Sequence, residues 1–329
     1  MAAKTYRLYG YRWVILALFA FINLTIQTLW ICFAPITGPA AKFYGVSNLQ
    51  IGLLAMLFMI VYVPLSIPVS WMIDTLGYRK AVGIGAALLG VFALLRGIFA
   101  GSYPMVLLMT LGLAAAQPFL LNSVSTVAAR WFPIEERATA SGLAVVAGFI
   151  GIGIGQVTSP MLVLSYGIPA MQMIFGGFAA LSAVVFLIFN REAPPTPPCP
   201  PGLETRALML DGLKSMLKMK DIWLLLGLFL IGMGVFNGIS TWIEDILRPR
   251  GFSITQAGSL GGVLLLGGII GAIVVPAFSD RLHKRKIFLL IGMALAVPGM
   301  LGLTFATDYG LMVVSMFMLG FFMMSLAPV

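Results

Sequence analysis

Asp74-Thr-Leu-Gly-Tyr-Arg-Lys80 and Asp280-Arg-Leu-His-Lys-Arg-Lys286 stand 206 residues apart and share Asp, Leu, Arg and Lys at matched places. Each follows an apolar run long enough to cross a bilayer, and each feeds another such run at once. The register persists beyond them, since Tyr103 and Tyr309 keep the same offset. A recurrence at a fixed distance is the mark of an internal repeat. The chain therefore reads as one plan laid down twice.

Outward from the two loops the sequence is apolar almost throughout. Of 329 residues, 60% are hydrophobic and 9% charged, and the mean hydropathy is +1.03. A soluble domain carries about 25% charged residues. That excludes a cytosolic enzyme, a secreted disulfide scaffold and a nucleic-acid-binding domain. Ten runs suit membrane-crossing helices, at 12–37, 50–73, 81–100, 104–130, 138–160, 168–190, 222–246, 256–279, 287–307 and 311–329. They are too long and too continuously apolar for barrel strands, which are about 10 residues long and alternate. The first run spans about 24 residues, against roughly 7–15 in a cleavable signal, so it is expected to stay as a span. Cys32 and Cys199 fit no metal or redox spacing, and no cofactor is expected.

With the N-terminus placed in the cytoplasm, 16 of the 20 Lys and Arg fall on the inner side and 4 outside. This asymmetry sets an orientation in the cell membrane. The net charge of +9 is then a topology signal and an attraction to lipid head groups. No nucleic-acid partner is needed to explain it. Six runs, residues 1–190, precede a proline-rich linker at 191–221, and four runs, 222–329, follow it. Leu208, Leu213, Met216 and Met219 can share a face, so the linker is read as an amphipathic helix on the inner surface, or else as unstructured chain. The 206-residue offset puts a complete second half near residue 396. The chain is thus expected to lack its last two helices, as a truncated reading frame would.

The loop Asp74-x-x-Gly77-x-Arg79-Lys80 resembles the signature between the second and third helices of the major facilitator superfamily, G-x-x-x-D-x-x-G-x-[RK]-[RK]. Ser70 replaces its first Gly; in the second copy Pro276 and His283 replace both. Arg130-Trp-Phe-Pro-Ile-Glu-Glu136-Arg137 and the Gly-rich fifth run are similar to that superfamily too. The resemblance implies an all-α polytopic fold, a six-helix N-terminal bundle and an incomplete, four-helix C-terminal one. It also implies a secondary transporter for a small solute, monomeric, working by alternating access. A non-transporting receptor or sensor of the same fold is the alternative. Segments at Trp30–Phe33, Lys42–Val46, Gln117–Asn122, Glu136–Ala140 and Gly234–Thr241 are also similar to the haem- and choline-linked exporters related to the feline leukaemia virus subgroup C receptors. That likeness implies a cavity-lining aromatic at Trp30 with Gln117 as its partner. The chain departs from it at Pro118.

Polar residues at membrane depth are costly and therefore informative. Asn23, Gln27 and Trp30 share a face of the first helix, either as cavity lining or as a helix contact. Gln117 and Asn122 flank Pro118, where they could line the cavity or satisfy a kink. Asn237, Ser240, Thr241 and Glu244 share a face of the seventh helix. Substrate contact is expected at Asn23, Gln27, Trp30, Gln117, Asn122, Asn237, Thr241 and Glu244. Trp30 could hold an organic cation and Glu244 supply its counter-charge. Gating is expected at Asp74, Gly77, Arg79, Lys80, Glu136, Arg137, Asp280 and Arg285, whose charges can form latches that break and reform. The bland alternative for the loops is a basic stop-transfer segment. Gln156 could face the cavity or a neighbouring helix. Arg96, near the outer end of the third run, is expected to snorkel to the interface.

Overall fold

A computed structural model describes residues 8–199, 218–282 and 285–325. The expected amphipathic helix falls outside the described residues, and so do the side chains of Asp280 and Arg285. All regular structure described is helical. α1 (Tyr11–Ile31) breaks into a 3-10 turn (Ala34–Ile36) before α2 (Thr37–Tyr44). α3 (Asn48–Leu76), α4 (Tyr78–Ile98), α5 (Tyr103–Leu121) and α6 (Val124–Trp131) follow. Next come α7 (Ile134–Phe189), α8 (Lys220–Thr241), α9 (Ile243–Leu247), α10 (Ile254–Leu282), α11 (Arg285–Phe305) and α12 (Tyr309–Ser325).

The ten expected runs all fall on helix, and six of the described helices are long and apolar enough to cross a membrane; three local differences stand out. The first span is broken near its end at Cys32–Phe33. The fourth is split between α5 and α6, just after Pro118. The fifth and sixth are joined without the expected loop. At about 1.5 Å per residue, the 56 residues of α7 would measure roughly 84 Å, more than twice the apolar core of a bilayer. The chain therefore turns within it, at Gly167, whose φ of 82° lies outside the range of ordinary side chains.

The repeat is visible in the backbone. Gly45 ends α2 with φ 66°, and Gly251 sits 206 residues later with φ 84°. The Ser47 side chain and Gln50 then form a capping box at the start of α3. Ser253 and Gln256, at the same offset, exchange the same two bonds before α10. Turn and cap chemistry, and not only apolar patterning, were laid down twice.

Helix contact inside a bilayer depends on close approach, because lipid tails are as apolar as leucine. α7 meets α1 through Gly151 and Gly155, where an added Cβ would run into the backbone of Leu24 and Thr28. Thr28 Oγ1 crosses the same seam to the Gly151 carbonyl at 2.8 Å. α5 packs on α3 and α4, and α12 packs on α10 and α11. α10 also lies along α7, which joins the helices after the linker to those before it. Leu224, Leu230 and Ile231 of α8 and Val63, Ile67 and Trp71 of α3 are exposed, as surfaces solvated by lipid can be.

Candidate functional site

The amides expected at the centre are brought together in part. Gln117 Nε2 donates to Gln27 Oε1 at 3.1 Å, joining α5 to α1. Gln117 is buried and Gln27 half-buried, with α7 behind it at Gly148. Asn23 donates to the Phe19 carbonyl of its own helix, while its buried Oδ1 has no partner among the described residues. Trp30 is 4% exposed, and its Nε1 donates to the Ala55 carbonyl at 3.2 Å. The indole thus ties α1 to α3. Asn122 is engaged on all sides: it donates to Ser66 and Ser70 and accepts from Tyr62 Oη at 2.6 Å. Asn237 is half-buried on α8, one turn below the buried Thr241.

Glu244 lies elsewhere, at one end of the bundle. It is 2% exposed and accepts from the Gly38 amide at 2.9 Å. Gly38 opens α2, so the carboxylate meets the positive end of that helix's dipole. Arg248, one turn on, adds a 3.2 Å ion pair. Beside it Asn48 donates to Asp245 at 2.8 Å. Deeper in, Gln156 Nε2 donates to the Ser240 carbonyl at 2.8 Å, so Gln156 faces a neighbour. Every described hydrogen bond between residues before the linker and residues after it belongs to this end. Gly38 and Glu244 are themselves 206 residues apart, the offset of the repeat.

The opposite end carries the loop signature. Asp74, Arg79 and Lys80 are exposed there. The start of α4 is capped by a residue that sequence reasoning passed over. Glu192 accepts from the amides of Tyr78 and Arg79 at 3.1 and 2.6 Å, capping α4, and pairs with Arg130. Gly77 has φ 85°, and a Cβ there would strike the Glu192 carboxylate, which explains the glycine in the signature. Glu136 pairs with Arg12 at 3.1 Å, and Arg137 donates to the carbonyls of Ala129 and Phe132. All these described contacts stay among residues before position 200. Glu192→Gln should lower stability by about 1–2 kcal/mol through loss of the charged cap. The Arg130 pair, partly open to solvent, adds little. Thermal unfolding in detergent measures this; an unchanged midpoint would show that the cap is idle.

Arg96 does not snorkel. It is 1% exposed and turned toward α1, with both terminal nitrogens 3.4 Å from the Leu29 carbonyl. Position near a helix end set the expectation; the face of α4 on which it falls decides the outcome.

A family model of the Major Facilitator Superfamily matches residues 13–329. Among curated relatives, Solute carrier family 49 member A3 of Xenopus tropicalis is 29% identical over 295 residues, covering 85% of this chain and 61% of its own. Choline/ethanolamine transporter FLVCR2 of Homo sapiens is 28% identical over 338 residues, covering 96% of this chain and 64% of its own. The chain thus spans less than two thirds of the length of these relatives. Among solved structures, a bacterial homolog of the human lysosomal transporter Spinster, inward-facing and unoccupied, superposes with a TM-score of 0.76 at 17% identity. That match covers 96% of this chain and 74% of the other. A D-xylose-proton symporter gives 0.64 at 12% identity, covering 95% and 80%. At such identities the likeness concerns the fold.

Proposed function

The chain belongs to the Major Facilitator Superfamily, and from that premise we propose that it is a secondary transporter moving a small solute across the cell membrane by alternating access. Residues 1–190 and 222–329 act as the two moving units, and 191–221 tethers them. The protein works as a monomer in the bilayer with its N-terminus in the cytoplasm. The observation that carries the reading is the uneven distribution of contacts. One end is held shut across the two units by Glu244, Asp245 and Gln156. At the other end, among the described residues, Arg12 pairs with Glu136 inside the first unit and Arg130 with Glu192 at the start of the tether. Such a bundle has one end to release and one end to bring together.

The solute is an organic cation of the choline or ethanolamine kind. The names of relatives such as FLVCR2 support this. So does the neutral character of the central polar groups: Gln27, Gln117, Asn237 and Thr241 offer carbonyl and hydroxyl oxygens and no positive charge to repel a cation. Trp30 would have to give up its bond to Ala55 to present its ring face. Uptake and counterflow of radiolabelled choline and ethanolamine in proteoliposomes test the proposal. Gln117→Ala and Asn237→Ala are each expected to cut uptake about tenfold, the loss of one good polar contact. Folded protein that moves neither solute above empty liposomes would overturn the substrate class. Uptake indifferent to both substitutions would overturn the site.

A further inference from the structure

A permanently charged side chain is buried behind the break in the first span. Arg96 brings a guanidinium into the interior of the first unit. No carboxylate pairs with it among the described residues. Its partners are the Leu29 carbonyl, the Cys32 sulfur at 3.4 Å, and the face of Phe33 at 5.7 Å. Leu29 lies in the last turn of α1, whose carbonyls have lost their intrahelical donors and carry the negative end of the dipole. Cys32 and Phe33 are the break itself. A buried, unpaired cation is costly, and the stump of a helix is one of the few surroundings that offset it.

The other side of the break carries the opposite charge. α2 begins one residue after the 3-10 turn, and its Gly38 amide receives Glu244. One broken helix is therefore capped at both new ends, by a cation at its carbonyl end and an anion at its amide end. The caps differ in origin. Arg96 comes from α4, within the same unit as α1, while Glu244 comes from the other unit. At Arg96's equivalent position, 206 residues on, stands Gly302, whose missing side chain is filled by Ser315. The cationic cap therefore has no counterpart at the equivalent position of the second unit.

We infer that Arg96 is a positioning residue for the gate at the Glu244 end: it holds the first span broken, so that α2 is presented to Glu244 each time that end closes. The inference rests on the alternating-access reading for its purpose, but its test needs no solute. In lipid nanodiscs, with Cys199 replaced by serine, cysteines at Asn48 and Asp245 report closure across the two units by cross-linking with a short bis-thiosulfonate. Cysteines at Arg12 and Glu136, within the first unit, serve as the control pair. Arg96→Met keeps the bulk and removes the charge; Arg96→Lys restores a cation.

Arg96→Met is expected to lower cross-linking of the Asn48/Asp245 pair at least fivefold, leave the Arg12/Glu136 pair as in the parent, and recover at least half the loss in Arg96→Lys. Loss at both pairs would make Arg96 a general support of the first unit and overturn the inference. So would loss at neither, or a lysine variant no better than methionine. A parent protein that cross-links normally yet transports nothing would sink the transport reading while leaving this comparison decisive.

Discussion

Glu244→Ala is expected to open the end of the bundle that Glu244 now closes. The substitution removes a charge-assisted bond to the Gly38 amide and an anion at the start of α2. Such a bond is worth about 2 kcal/mol, or roughly a thirtyfold shift between closed and open forms. The pair with Arg248 adds little, because the arginine side chain is 43% exposed. Spin labels at Phe43 and Thr307, both exposed on either side of the gate, would read the change as a longer distance becoming the major population. Glu244→Gln keeps the shape and an acceptor oxygen, and should fall between alanine and the parent. An alanine variant with the parent's distance distribution would show that the contact accompanies closure without holding it.

Gly151→Val should be still more severe, because it attacks the fold itself. A side chain there would occupy the space of the Leu24 backbone, which cannot turn aside as a flexible side chain can. Forcing α7 from α1 also stretches the Thr28 bond to the Gly151 carbonyl. Gly151→Ala is expected to cost about 1–3 kcal/mol, as other overpacked sites do, and valine to prevent recovery of folded protein. Gly142, on the same helix, has nothing within 4 Å of a built Cβ. Gly142→Ala should be neutral or more stable by up to about 1 kcal/mol. Fluorescence-detected size exclusion and thermal midpoints would separate the three. Equal behaviour of Gly151→Ala and Gly142→Ala would mean that the seam is looser than its geometry.

The spans and the repeat were legible in the sequence because their causes are local. Long apolar runs report burial in lipid, and the matched loops at Asp74 and Asp280 report the repeat by residue type alone; the paired turns at Gly45 and Gly251 and caps at Ser47 and Ser253 emerged only from the structure. The polar residues were legible as unusual, but their partners were not. Asn122 reads the same whether it faces a cavity or, as here, Tyr62, Ser66 and Ser70. Glu192 lies outside the apolar runs, 115 positions from the Gly77 turn it supports, and only the folded chain brings them together. Arg96 shows the limit most plainly. Its depth could be estimated by counting residues, whereas the direction it faces depends on how α4 rests against α1.

The Gly38–Glu244 contact joins two positions that the 206-residue offset makes equivalent, so a twofold axis relating two such halves would pass through it. In a homodimer of identical halves, a residue on such an axis can only meet its own copy. Two glutamates there would repel, and two glycines would hold nothing. A latch at that point requires the two copies to have diverged, which fusion into one polypeptide permits.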